Sequence, residues 1–429
     1  MRFLRSLGAG LLISIALALP GPVAAKPPAA APATPLPAAT PESQGMSSER
    51  LARGRAEVQR FLDEGKHAGA VSLVVRNGKM VDWTAYGQRD LEAGLPMEKD
   101  TIVRIYSMSK IVTSVAALTL LEEARFRLDD PIGDYLPELA HMKVLTGGTA
   151  ESPLLADAKR PITIKHLFTH TSGLTYDFGE STVEKLNRAA KLPEAPSLAD
   201  FVVRVSRLPL AHEPGDRFDY GVSIDVLGAL VERVSGRSFG AYLEERIFRP
   251  LGMKDTGFSV PPEKQARLAK IYERDKDGKL QPAKPIFGIQ PSPGPKLESG
   301  GAGLFSTAGD YARFMQMLLN GGQLDGVRVL SRKTVELMMA NHLNHMERTT
   351  HQFSESDGFG LGGGVRLDLA KGNALGSVGQ FGWDGAATTH ARLDPKERLV
   401  TILLMQHFPF GEFGLFGRYS TLVYAAIVD

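Results

Sequence analysis

Ile105-Tyr106-Ser107-Met108-Ser109-Lys110 decides how this chain is read. It contains the only Ser-x-x-Lys of the sequence, and a long apolar run follows it: Met108, Ile111, Val112, Val115, Leu118, Leu120 and Leu121. These residues cover nearly every face of a helix, which marks an interior helix rather than a surface one. No Gly or Pro interrupts the run before Asp129-Asp130-Pro131. Ser107 therefore stands at the start of a buried helix, with Lys110 one turn on and on the same face. A serine hydroxyl is a weak nucleophile at neutral pH and needs a neighbouring base, which the i, i+3 amine supplies locally. Free backbone N–H groups and the positive end of the dipole also favour anionic charge at a helix start. Ser and Lys are common residues, so the partners elsewhere must carry the argument.

The chain has 429 residues, 43% hydrophobic and 23% charged, with a formal net charge of +2. That describes a globular protein with ample core, and without the basic footprint of a nucleic-acid binder. Cysteine is absent. Disulfides, thiolate catalysis, cysteine metal sites and a lipid-modified N-terminal cysteine are excluded.

Residues 1–25 read as a secretory signal. Arg2 and Arg5 precede a short apolar core at 7–19, and Val23-Ala24-Ala25 supplies small residues before Lys26. The apolar run is too short to span a bilayer comfortably, so no stable membrane span is expected after cleavage. A periplasmic or secreted location follows, with a fold that is stable without bridges. Residues 26–44 are mostly Ala and Pro at first and are expected to form a disordered, extended tether.

The remainder, 45–428, is expected to be one catalytic domain. Ser47 or Ser48 caps a helix running to about residue 64. Residues 70–76 read as a strand, Asn77-Gly78 as a two-residue hairpin turn, and 79–86 as the return strand. Residues 129–290 read as helices and long loops, with a surface excursion from Gly147-Gly148 to Arg160. His166 and His170 are spaced i, i+4 without the intervening Glu of a zinc protease, and are read as structural histidines. Residues 308–319 form a helix ended by Asn320-Gly321-Gly322. Gly358-Phe359-Gly360-Leu361-Gly362-Gly363 lacks the strand–turn–helix context of a dinucleotide loop and is read as a Gly-rich strand or loop. Residues 386–393 and 398–405 form a second hairpin, and 419–427 a closing helix. The expected fold is α+β: one antiparallel sheet from both ends of the domain (about 45–106 and 295–428), flanked by helices, with a mostly helical part (about 107–294) between them.

Two further stretches are candidate partners of Ser107. Pro214-Gly215 makes a turn shortly before Tyr220, and a tyrosine beside a lysine ammonium can act as a base. In Phe381-Gly382-Trp383-Asp384-Gly385-Ala386, the glycines allow close backbone approach.

Taken in order, these motifs resemble the serine β-lactamase and penicillin-binding protein superfamily, on the class C side and nearest to the family VIII carboxylesterases. The resemblance covers about 45–428. Ser107-x-x-Lys110 matches the first motif. Tyr220-Gly221-Val222 stands where the family has Tyr-x-Asn, and Trp383-Asp384-Gly385 where it has Lys-Thr-Gly or, in esterases, Trp-Gly-Gly. The stretches 162–174, 246–253 and 300–307 match the family's frame.

The resemblance implies a β-lactamase/transpeptidase-like fold with the active site between its two parts. It implies acylation of Ser107, proton transfer shared by Lys110 and Tyr220 with Tyr220 favoured as base, and an oxyanion hole from the N–H groups of Ser107 and Ala386. No metal or organic cofactor is called for. Trp383 replaces the cation that grips a β-lactam carboxylate, a contact worth on the order of 1.5–3 kcal/mol. A flat, apolar Trp suits an uncharged group, and Asp384, if it faces inward, would repel anions. The expectation is hydrolysis of small carboxylic esters. The alternatives are β-lactam or D-amino peptide hydrolysis, acyl transfer to an alcohol or amine, and a non-catalytic cell-wall binder.

Overall fold

The computed structural model describes residues 35–292, 297–344, 347–348 and 355–429. The secretory leader expected at 1–25 lies outside the described residues, as do residues 26–34 of the expected tether.

The backbone of the fold is an eight-stranded sheet, antiparallel throughout. Its strands are β1 (Gly69–Arg76), β2 (Lys79–Asp90), β3 (Leu95–Pro96), β4 (Asp357–Phe359), β5 (Gly364–Arg366), β6 (Phe381–Gly385), β7 (Thr389–Asp394) and β8 (Leu399–Met405). The order is β4-β5-β6-β7-β8-β1-β2-β3, so the first and last segments of the domain meet where β8 pairs with β1. The Asn77-Gly78 turn forms as its sequence predicts, with both residues at positive φ.

Strand alternation sorts the apolar side chains to two faces. Ala70, Val74, Leu399 and Leu403 pack with Leu51, Val58 and Phe61 of helix α1 (Ser48–Asp63), and with Tyr419 and Val423 of the C-terminal helix (Leu415–Tyr424). Val71, Leu73, Ile402 and Leu404 join the main core on the other face with Phe314 and Met315 of helix Ala308–Leu319. The nucleophile helix α2 (Ser109–Glu122) is buried over its first twelve residues, as an all-apolar helix requires. It packs against α3 (Ser223–Ser235).

Four expectations are corrected. The fold begins before residue 45: Leu36 is buried in the main core, and Pro37 and Ala39 exchange backbone hydrogen bonds with Met80 on β2. One buried leucine and two hydrogen bonds hold that end of the Ala/Pro stretch. The region 129–290 also carries β-hairpins, including Lys143–Gly148 with Pro153–Asp157. Ala386 sits in the turn between β6 and β7 rather than in a strand. The closing helix starts at Leu415 rather than 419. No described helix is long and apolar enough to cross a membrane.

Candidate active site

Ser107 lies in a single 3-10 turn, Tyr106–Met108, that feeds directly into α2. Tyr106, just before it, is fully buried at φ +43, a conformation costly for a bulky residue. Neighbouring chain over-determines that turn. Ile105 N–H donates to Leu304 O (3.0 Å), Leu304 N–H to Ser109 Oγ (3.1 Å), and Tyr311 Oη to Met108 O (3.0 Å).

Lys110 has no exposed surface. Its Nζ donates to Ser107 Oγ (3.1 Å), Tyr176 Oη (3.0 Å) and Gly301 O (2.8 Å). Three acceptors match the three protons of an ammonium. Burial nevertheless pulls the pKa of Lys110 down to about 7, opposed by the negative charge of Asp225.

Tyr220 joins them. Its ring centroid is 4.6 Å from Lys110 Nζ, and its phenol oxygen accepts from Trp383 Nε1 (2.9 Å). Burial drives its pKa upward, against the opposing pull of the Ser107 hydroxyl and the Trp383 N–H. The His170 ring lies against the Tyr220 ring, tilted by 49° with centroids 4.6 Å apart, and its Nδ1 accepts from Gly221 N–H (3.3 Å). His166 instead closes a capping box with Thr163. Both histidines hold backbone.

The strand side of the site is β6. At Gly385 an added Cβ would fall 2.2 Å from Ile105 O, so glycine lets the strand end touch the nucleophile turn. Ser107, Trp383, Gly385 and Ala386 line one cleft of about 620 Å³, within the range of small-molecule sites. Tyr176, Phe178 and Phe287 form an aromatic wall, with ring centroids 4.8 to 5.7 Å apart.

All the expected site residues thus meet, but two expectations change. Trp383 is not simply an apolar wall, because its N–H is committed to Tyr220. Asp384 does not stand as a bare anion: Arg392 grips it with two bonds (2.7 and 2.9 Å) and His390 with a third (2.7 Å). These partners hold its carboxyl well below the usual range, and Arg392 neutralises its charge locally. Tyr176 and Asp225 escape the sequence reading. Neither belongs to a motif with diagnostic spacing; Asp225 three residues into α3 reads as an ordinary first-turn acid.

The Beta-lactamase family model matches residues 55–426. The chain belongs to the β-lactamase family. Within it, an uncharacterized protein of Mycobacterium tuberculosis is 38% identical over 364 residues, covering 83% of this chain and 90% of the relative. Esterase EstB of Burkholderia gladioli is 34% identical, over 62% of this chain and 69% of its own. Monacolin J acid methylbutanoyltransferase of Aspergillus terreus is 31% identical, over 74% and 79%. Among solved structures, EstCE1, a hydrolase with promiscuous acyltransferase activity, aligns with a TM-score of 0.73 at 27% identity, covering 89% of this chain and 99% of that one. Simvastatin synthase from Aspergillus terreus aligns at 0.76 and 26% identity, over 88% and 99%. This member of the β-lactamase family is a serine hydrolase by fold and architecture.

Proposed function

We propose that the protein cleaves small carboxylic esters through an acyl-enzyme on Ser107 and passes the acyl group to water or to an alcohol. The observation that carries this reading is the fully buried Lys110 Nζ, 3.1 Å from Ser107 Oγ, at a cleft walled by aromatic rings. Ser107 Oγ attacks the ester carbonyl and gives up its proton. The carbonyl oxygen gains the negative charge, with the backbone N–H groups of Ser107 and Ala386 as its donors. The C–O bond to the leaving alcohol breaks as that alcohol takes a proton. Water or a second alcohol then repeats the sequence in reverse and frees the acyl group.

The family resemblance favours Tyr220 as base, but the electrostatics favour Lys110. An amine with a pKa of about 7 is substantially neutral at working pH, whereas a phenol raised by burial stays protonated. In this assignment Tyr220 relays a proton to the leaving group. A β-lactam carboxylate finds little purchase: Trp383 replaces the gripping cation, and Arg366 and Arg392 in the cleft are already engaged by Asp357 and Asp384.

Relatives named as esterases and as acyltransferases both support this chemistry. The apolar wall favours alcohols over water as acceptors, so we read transfer as a substantial branch. The test is the full chain and its Ser107→Ala variant assayed side by side on short-chain nitrophenyl esters with and without added butanol, a chromogenic cephalosporin and D-Ala-D-Ala peptides. The expected result is ester turnover lost in Ser107→Ala, with a butyl ester product when butanol is present. Cephalosporin turnover far above ester turnover overturns the substrate assignment. Absence of fluorophosphonate labelling at Ser107 overturns the acyl-enzyme.

A further inference from the structure

Behind the nucleophile, one buried carboxylate is tied to Lys110 through a single residue. Asp225 is 4% exposed, in the first turn of α3. Its Oδ1 accepts from Ser299 Oγ (2.5 Å) and from Gly301 N–H (3.0 Å). The carbonyl of the same Gly301 accepts from Lys110 Nζ (2.8 Å). Thr113 of α2 pins the preceding carbonyl, Gly300 O, at 2.7 Å.

The glycines are required here. A Cβ on Gly301 would lie 2.4 Å from Asp225 Oδ2, and one on Gly300 2.7 Å from Ile224 O. The 299–301 segment is therefore clamped between α2 and α3, with its one free carbonyl direction aimed at the lysine.

Lys110 makes no ion pair within 4.0 Å among the described residues, so Asp225 acts on it across the glycine. The other titratable groups facing the ammonium are Tyr176, Tyr220 and His170. Both phenols are raised by burial and the imidazole is held neutral; burial raises the Asp225 carboxyl too, but Lys110, Ser299 and Gly301 N–H oppose that rise, so Asp225 is the anion of the set. A buried cation with a buried anion at one residue's remove keeps its proton more readily than a buried cation alone.

We infer that Asp225 is a positioning residue of the acylation step, seating Gly301 against Lys110 and supplying the charge that decides the pH at which Lys110 can accept the Ser107 proton. The inference rests on the acyl-enzyme reading above. It implies a base whose working range is tuned from the far side of a peptide.

The experiment is the pH profile of kcat/KM on a short-chain ester for the full-length protein, Asp225→Asn and Ser299→Ala, with folding checked by circular dichroism. The wild-type profile rises with pH around the Lys110 value of about 7. In Asp225→Asn the lost anion moves that limb to lower pH, by about one unit or more, with about a tenfold loss of plateau rate. In Ser299→Ala the Asp225 carboxyl, already raised by burial, loses a donor that holds it down; it protonates more readily, its charge at Lys110 shrinks, and the limb moves the same way by less. This second variant decides the matter if Asp225→Asn does not fold. A limb that stays put while the rate falls gives Asp225 a merely structural role and overturns the inference. Fluorophosphonate labelling of wild-type Ser107 separates the two failures: without it the acyl-enzyme reading falls, and with it only the Asp225 assignment is at stake.

Discussion

The indole N–H of Trp383 donates to the phenol oxygen of Tyr220 at 2.9 Å, joining the middle of β6 to the loop before α3. The bond occupies one lone pair of that oxygen and limits the directions in which the phenol can donate. Trp383→Phe keeps a ring in contact with Phe359 and Tyr220 but removes the donor. The expected outcome is a fall in kcat of about tenfold with KM for a short ester little changed, on the scale of one hydrogen bond of roughly 1–1.5 kcal/mol. A KM rise with unchanged kcat would instead make Trp383 a substrate wall. Steady-state kinetics on one nitrophenyl ester series distinguishes the two.

The two tyrosines on the lysine are not equivalent. Tyr220 lies with its ring 4.6 Å from Lys110 Nζ and its oxygen held by Trp383, whereas Tyr176 Oη accepts a hydrogen bond from Lys110 at 3.0 Å. Tyr220→Phe removes a proton-transfer group and is expected to slow acylation by about 100-fold or more. Tyr176→Phe leaves Lys110 with two acceptors and is expected to cost about tenfold. Single-turnover burst rates measure both. Equal losses would show that the phenols work as one unit.

Gly385→Ala tests how closely β6 must approach the nucleophile turn. The added methyl would lie 2.2 Å from both Ile105 O and Thr389 Oγ1, so the strand end has to retreat. Ala386 moves with it, and a shift of about 1 Å in an oxyanion donor costs on the order of 100-fold in rate. The expected variant is folded, with a lower kcat and a normal KM. Wild-type kcat would mean that the Ala386 N–H plays no part in stabilising the oxyanion.

A buried histidine that does not line the cleft contributes to acid sensitivity. His67 is 3% exposed, neither ring nitrogen has a hydrogen-bond partner among the described residues, and its ring packs against His407 and Phe413. Burial lowers its pKa from 6.5 to about 3, helped by His407, Lys66 and Arg274. Below pH 6.5 the unfolded chain takes up a proton that the folded chain refuses until about pH 3. Stability therefore falls as pH drops through that window, by about 1.6 kcal/mol between pH 6.5 and 5, with the slope approaching about 1.4 kcal/mol per unit at the acid end. Thermal melts across this range are expected to show Tm dropping by several degrees in wild type and by less in His67→Leu. Parallel slopes would remove His67 as the cause.

Much of this protein is written locally. The apolar run after Ser107 can only be an interior helix, Asn77-Gly78 can only turn tightly, and the i, i+3 spacing puts Lys110 beside Ser107 whatever surrounds them. Those features depend on neighbours within a few residues, so composition and period determine them, and their order along the chain carries the family resemblance. Tertiary structure alone decided the rest. Tyr176 meets Lys110 across 66 residues and Trp383 meets Tyr220 across 163, separations at which no periodicity constrains the partner. The same holds for Leu36, an isolated apolar residue in an Ala/Pro stretch whose burial depends on β2 offering Met80 its backbone. The charge state of Lys110 belongs to this second class as well. Sequence places the amine, but its readiness to act as a base depends on how much water the packed helices exclude and on a carboxylate reached through Gly301.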